Sequence, residues 1–174
     1  MGKNVISILV KNEAGVLSRV SGLFSRRGFN IDSLSVGKTV DPEVSRITIT
    51  MDCDKATMEQ MLKQSRKLYV VIGIEELPGS QSVTRELALI KVRSQEETRS
   101  GIREVAAIFR ANIIDVATES MIVEITGDED KIDAFVRLLE PYGIIEMTRT
   151  GLTGLQRGNE GMGTSDGGLA VMAV

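Results

Sequence analysis

The stretch KNEAGVLSRVSGLFSRRGFNI, residues 11–31, holds the side chains whose types and spacing could do chemistry. Asn12 and Gly15 stand directly before Val16, Leu17, Val20, Leu23 and Phe24, which recur at helical spacing. A helix that begins near Val16 presents backbone N–H groups without intrahelical partners, at the positive end of its dipole. A carboxylate can be held there without a charged side chain. Gly15 has no Cβ, so a ligand can come close to the backbone. Asn12 carries a donor and an acceptor on one side chain. Donors for a carboxylate beside an acceptor for an ammonium suit a free amino acid. Asn30 follows the helix and offers a second amide, from a neighbouring copy of the chain. The same residues have a plainer reading, with Asn12 as a turn former and Gly15 present only for a positive φ. Arg26, Arg27 and Gly28 read as a last turn and its cap, cations at the negative helix end and a glycine tolerant of the left-handed region.

Composition removes many other chemistries. The chain has 174 residues, one cysteine (Cys53) and no histidine. An internal disulfide is impossible, and a zinc, copper or haem site is not expected. The usual general base and the common nucleophilic triads are missing, so no catalytic residue is assigned. A net charge of −3 without like-charge blocks argues against nucleic acid and membrane surfaces as partners. No apolar run approaches the ~20 residues of a membrane span. The N-terminus resembles neither a signal nor a transit peptide. Ile6 stands where an N-myristoylation signal wants Ser or Thr.

The elements that must position residues 11–31 occur twice. Val5–Val10 reads as a buried strand, followed by the helix above. Leu34 and Val36 have strand spacing, Asp41-Pro42 marks a loop, and residues 47–52 alternate as a further strand. Met58, Met61, Leu62 and Leu68 give a second helix, and Val70, Ile72 and Ile74 a fourth strand. The order recurs with Ala88, Ile90 and Val92 (strand), Ile102, Val105, Ala106 and Phe109 (helix), 113–116 and 121–125 (strands). Ile132, Phe135, Val136 and Leu139 then give a helix, and Ile144, Ile145 and Met147 a last strand. Arg27, Ile31 and Asp32 share offsets with Arg110, Ile114 and Asp115. The expected fold is α+β: two ferredoxin-like βαββαβ domains in tandem, each a four-stranded antiparallel sheet with two helices on one face. The expected boundaries are 1–77, a linker at 78–84, 85–151, and a flexible glycine-rich tail at 152–174. Seven glycines fall among the last 24 residues, and the apolar end Leu169–Val174 is too short to stand alone. In the first domain the sheet face away from the helices is expected to carry Leu34 or its neighbours and part of Val5–Val10, and so to need a partner.

The segments NEAGVLSRVSGLFSRRGFNIDSLSVGKT, DPEVSRITITM, ELALIKV, FRANIIDV, KIDAFVRLLEPYGIIEMTRTG and GLQRG occur in order. Together they resemble the regulatory (small) subunit family of acetohydroxyacid synthase, also called acetolactate synthase, whose N-terminal half is an ACT domain. The resemblance reaches about residue 158, and Gly37-Lys38 stands where the family often has Ala-Pro. It implies a non-catalytic protein of branched-chain amino-acid biosynthesis, cytoplasmic, which pairs with its own copy through the ACT domain. It implies ligand contacts at Asn12, Gly15, Val16, Leu17, Asn30 and Ile31, with valine, or leucine or isoleucine, as feedback effector. The partner it implies is a catalytic (large) subunit that carries thiamine diphosphate, magnesium and FAD, with no cofactor on this chain. The second half has no Asn-x-x-Gly turn; Ser94–Gly101 is longer and charged there, and reads as structural or partner-facing.

Other functions fit less well. A stand-alone amino-acid sensor acting on another partner is the alternative, but no helix-turn-helix or basic face supports a transcriptional one. An RNA-recognition module shares the element order but needs aromatic residues on its central strands. Here that strand reads Ile47-Thr-Ile-Thr-Met51, and the chain has four Phe, two Tyr and no Trp. An acylphosphatase-like enzyme would need a phosphate-cradling loop with an arginine after the first strand, which Asn-Glu-Ala-Gly is not.

Overall fold

The computed structural model describes residues 2–159 and 161–162. The chain divides into two compact units: Met1–Val83 joined by the chain from Leu152 onward, and Thr84–Gly151.

In the first unit the strands are β1 (Gly2–Lys11), β2 (Ser33–Lys38), β3 (Val44–Cys53) and β4 (Val71–Glu76), with helices α1 (Val16–Arg26) and α2 (Lys55–Ser65). The sheet runs β2-β3-β1-β4 and every pairing is antiparallel. Alternation sets the register: Ile6 lies opposite Ile49 and Ile8 opposite Ile47, so one face of the sheet is apolar. That face packs on Val16, Val20, Leu23 and Phe24 of α1 and on Met58 and Met61 of α2. Each such side chain contributes about 1.5–3 kcal/mol on burial. The C-terminal end of α1 turns on Gly28, at φ 70°. Gly28 N–H donates to Ser25 O at 3.0 Å and Phe29 N–H to Phe24 O at 3.2 Å, which closes the helix in a Schellman motif.

The other face of this sheet mixes apolar and polar side chains. Leu34 packs into the helix-side core, so its neighbours Ser33 and Ser35 take the far face, together with Val5, Ser7 and Leu9 of β1 and Arg46, Thr48 and Thr50 of β3. Ser7, Thr48 and Thr50 are buried there. Arg46 Nη1 donates to Ser7 Oγ at 2.7 Å, and the hydroxyls of Ser33 and Thr50 lie 2.7 Å apart. Val5–Val10 reads as uniformly apolar only until Ser7 is placed by the pleat.

The second unit is built from β5 (Ser82–Arg93), α3 (Glu96–Phe109), β6 (Asn112–Val116), β7 (Ser120–Gly127), α4 (Glu129–Leu139), a 3₁₀ turn at Glu140–Tyr142 and β8 (Ile144–Arg149). Its strand order is β6-β7-β5-β8, the same topology as the first. Ala88, Ile90, Val92, Met121, Val123 and Ile125 face Ile102, Ala106, Ile132, Phe135 and Leu139. At one end of β5 the buried Glu86 takes Arg149 Nε at 3.1 Å and Nη2 at 2.5 Å, while Arg149 Nη1 reaches Asp133 at 2.7 Å. These hydrogen bonds, Glu86's above all, raise the pKa of Arg149.

Strands extend into two segments that composition marks as irregular. β5 starts at Ser82, inside the stretch read as linker, and β9 (Thr153–Gln156) lies inside the stretch read as tail. Each supplies backbone partners to the other: β9 pairs with β5, and Arg157 N–H donates to Gln81 O at 2.7 Å. The apolar end Leu169–Val174 lies outside the described residues.

Candidate functional site

Gly15 is the N-cap of α1, in the left-handed region at φ 81° and ψ −2°. Other residues adopt that conformation only with strain, so the turn requires glycine. A Cβ on Gly15 would meet nothing within 4 Å, so the space in front of the helix is open. No side chain caps this terminus, and no acidic residue stands in its first turn. Helices α2 and α4 close theirs with an aspartate side chain. Asp54 accepts Thr57 N–H at 2.7 Å on α2, and Asp128 accepts Lys131 N–H at 2.9 Å on α4. On α3, Thr98 Oγ1 accepts Gln95 N–H at 3.0 Å.

The Asn12 amide beside it is already engaged. Its Nδ2 donates to Pro42 O at 2.8 Å, its Oδ1 accepts from Ser45 Oγ at 3.1 Å, and its backbone N–H donates to Glu43 O at 2.7 Å. These bonds hold the loop between β2 and β3 against the end of β1. One Nδ2 hydrogen and one Oδ1 lone pair remain for another partner. Val16 is buried in the core, while Leu17 is exposed. Asn30 donates to Asp32 Oδ1 at 3.2 Å, and Ile31 is half-buried against the core.

The structure therefore brings Asn12, Gly15 and Leu17 together at one end of α1 and sets Asn30 and Ile31 at the other. An 11-residue helix separates them, roughly 16 Å at 1.5 Å per residue. A single small amino acid cannot touch both groups of one chain. A site with both walls needs the second wall from another copy.

Sequence reasoning missed the cations at the open end. Arg19 lies one turn into α1, and its N–H donates to Gly15 O at 3.1 Å. Its guanidinium stands 5.2 Å from the ring centroid of Tyr69, and Lys11 Nζ stands 5.7 Å from the same ring. Two cations beside the positive end of a helix add to its attraction for an anion. The i+4 spacing of Arg19 from Gly15 was legible, but Tyr69 is far away in sequence. For catalysis the residues offer little. Cys53 is buried, and desolvation raises its thiol pKa against the opposing hydrogen bond from Asn4, the reverse of an activated nucleophile. Among the described residues no group of three or more His, Cys, Asp or Glu could hold a metal, and no helix is long and apolar enough to cross a membrane.

Two ferredoxin-like units, the first with an open glycine-started helix, define a protein built like ACT-type regulatory chains. Residues 6–73 match the family model of the small-subunit-like ACT domain of acetohydroxyacid synthase, and residues 85–158 that of the small subunit of acetolactate synthase. A protein of Archaeoglobus fulgidus named probable acetolactate synthase small subunit is 50% identical over 158 residues, 91% of this chain and 99% of its own. The acetolactate synthase small subunit of Mycolicibacterium smegmatis is 48% identical over 162 residues, 93% of this chain and 95% of its own. The crystal structure of the acetolactate synthase small subunit from Thermotoga maritima superposes with a TM-score of 0.86 at 41% identity, covering 92% of this chain and all of that one. The chain belongs to the acetolactate synthase small-subunit family.

Proposed function

We propose that this chain is the non-catalytic regulatory subunit that activates a catalytic acetolactate synthase subunit and makes it sensitive to feedback by valine, or by leucine or isoleucine. The observation that carries the ligand is the start of α1: a glycine N-cap with open space before it and no capping side chain. The ligand carboxylate takes the first-turn N–H groups, and the free lone pair of Asn12 Oδ1 accepts from its ammonium. Leu17 offers an exposed apolar surface for an aliphatic side chain. Asn30 and Ile31 of a second copy complete the site, so the chain works as at least a dimer. Thiamine diphosphate, magnesium and FAD belong in this reading to the catalytic partner, and the assembly to the cytoplasm.

Calorimetric titration of the chain with each branched-chain amino acid tests the ligand, and the absence of binding by all three refutes it. Reconstitution tests the role. The chain alone condenses no pyruvate with thiamine diphosphate and magnesium present, but it raises the rate of a cognate catalytic subunit. Sedimentation as a monomer at micromolar concentration, with effector present, refutes the two-copy site.

A further inference from the structure

Tyr69 takes no part in the packing that accounts for its neighbours. Leu68 and Val71 pack against the core and Val70 is fully buried, yet the Tyr69 ring among them is 63% exposed. Backbone bonds hold the turn that carries it: Leu68 N–H donates to Ser65 O at 3.0 Å, and Val71 N–H to Leu68 O at 2.9 Å. Lys11 N–H donates to Val70 O at 2.9 Å, which ties the same turn to the end of β1. The ring is therefore presented outward, next to the residues that lead into α1. The Arg19 guanidinium, 5.2 Å from its centroid, and the Lys11 ammonium, 5.7 Å from it, share this one ring. Neither cation has a carboxylate partner among the described residues. Two like charges so placed repel each other, and the negative face of the ring offsets that repulsion. A helical side chain leans toward the helix N-terminus, so Arg19 reaches back toward Gly15.

We propose that Tyr69 is a positioning residue of the sensor site: by collecting Lys11 and Arg19 beside the open start of α1, it makes a free carboxylate the group by which a ligand is recognised. This rests on the amino-acid-sensor reading above. Two cations that no carboxylate of the described residues neutralises are left to a negative group from outside the chain. Their attraction adds to that of the first-turn N–H groups. The ring keeps both long side chains from swinging into water, so less freedom is lost when the ligand arrives. An amino acid meets this demand only with its carboxylate free. Its amide has the same side chain and the same ammonium but brings no negative charge, and is rejected. A role in packing or in the turn would need neither an aromatic face nor two cations on it. Tyr69 touches the cations and not the ligand.

Tyr69→Leu and Tyr69→Phe separate this role from packing. Each full-length chain is titrated by calorimetry with whichever of valine, leucine and isoleucine the wild type binds most tightly, and with the amide of that amino acid. The wild type should bind the amide at least about tenfold more weakly than the acid. Raising the salt from about 0.05 M to about 0.5 M should weaken its binding of the acid at least about twofold. Tyr69→Leu keeps apolar bulk but has no π face, so it should bind the acid about threefold more weakly and lose most of that salt dependence. Tyr69→Phe keeps the face and should stay within about twofold of the wild type. Equal binding of acid and amide by the wild type, or binding that salt leaves unchanged, overturns the proposal without any variant. Tyr69→Leu with the affinity and salt dependence of the wild type overturns it too, and leaves the sensor reading standing. Tyr69→Phe as weak as Tyr69→Leu overturns it because the hydroxyl, and not the ring face, then matters. A wild type that binds none of the three amino acids overturns the sensor reading and this proposal with it.

Discussion

The ends of α1 and α3 make the same connection within the same topology, yet only one is open. Both helices follow the first strand of a βαββαβ unit and lie on its sheet. α1 starts on a left-handed glycine without a capping side chain. α3 starts with Glu96 and Glu97 in its first turn and Thr98 bonded back to Gln95. Acidic residues there repel an anion that the start of α1 would attract. The far ends are more alike. Gly28 and Arg110 occupy equivalent left-handed positions, with matching bonds from Phe29 to Phe24 and from Ala111 to Ala106. Asn30 therefore corresponds to Asn112. The second unit keeps the asparagine after the helix but not the glycine before it, so the two units differ at the start of the helix and not in the fold.

Several substitutions sharpen or break this contrast. The largest effect belongs to the second unit. Glu86→Ala strands Arg149 at the sheet end and removes the acceptor of Gly151, and should cost about 3 kcal/mol in denaturant unfolding. That is the low end for a broken buried pair, because Arg149 keeps Asp133. A loss below about 1 kcal/mol would show that the network matters little to stability.

Next comes Gly15→Asp, which puts a carboxylate on the N–H groups proposed for the effector. Valine affinity should fall at least tenfold, about 1.4 kcal/mol. Gly15→Ala shares the strain of φ 81°, roughly 1 kcal/mol, but not the charge, so Asp should be the more harmful. Gln95→Asp, at the matching end of α3, should leave valine inhibition unchanged. If the α3 variant changes inhibition and the α1 variant does not, the two units have been assigned the wrong roles.

Arg110 is the positive-φ residue other than glycine among the described residues, at φ 54°. Arg110→Gly should stabilise the chain by about 1 kcal/mol, and Gly28→Ala should destabilise it by a similar amount. Urea midpoints moving the other way would mean that the Arg110 side chain contributes more than its backbone costs.

The smallest effect is electrostatic. Burial raises the Glu75 carboxyl above its ordinary 4.5, against the opposing charge of Arg46. A raised folded-state pKa gives stability that is fully present below the unfolded value and lost as pH rises through the folded one. The wild type should therefore weaken as pH climbs above 4.5, and Glu75→Gln should flatten that slope. An unchanged profile would show that Arg46 compensates fully.

The repeat of elements was legible because burial on one sheet face imposes period two on strands and 3.6 on helices. Gly28 was legible as a cap for the same local reason. The match of Arg27, Ile31 and Asp32 with Arg110, Ile114 and Asp115 was one residue out where the helices end. An arginine fills the left-handed position in one unit and a glycine in the other, and a bulge between Ile113 and Asp115 restores the letters later. The engagement of Asn12 was hidden because Pro42 and Ser45 lie 30 and 33 residues away. β9 was hidden because its backbone partner is β5, and glycine-rich composition says nothing of a distant partner.

The first unit is interrupted. Its closing segment comes from Leu152 onward, while Thr84–Gly151 belongs to the other unit. A ribosome making the chain from its N-terminus must therefore release all of the inserted unit before β9 exists. At ordinary elongation rates those intervening residues take roughly 3 to 14 s. During that interval β5 to β8 can already pair, while β2 in the first unit still presents Ser33 and Ser35 without Leu152. The unit that carries the proposed sensor site begins synthesis first and is completed last.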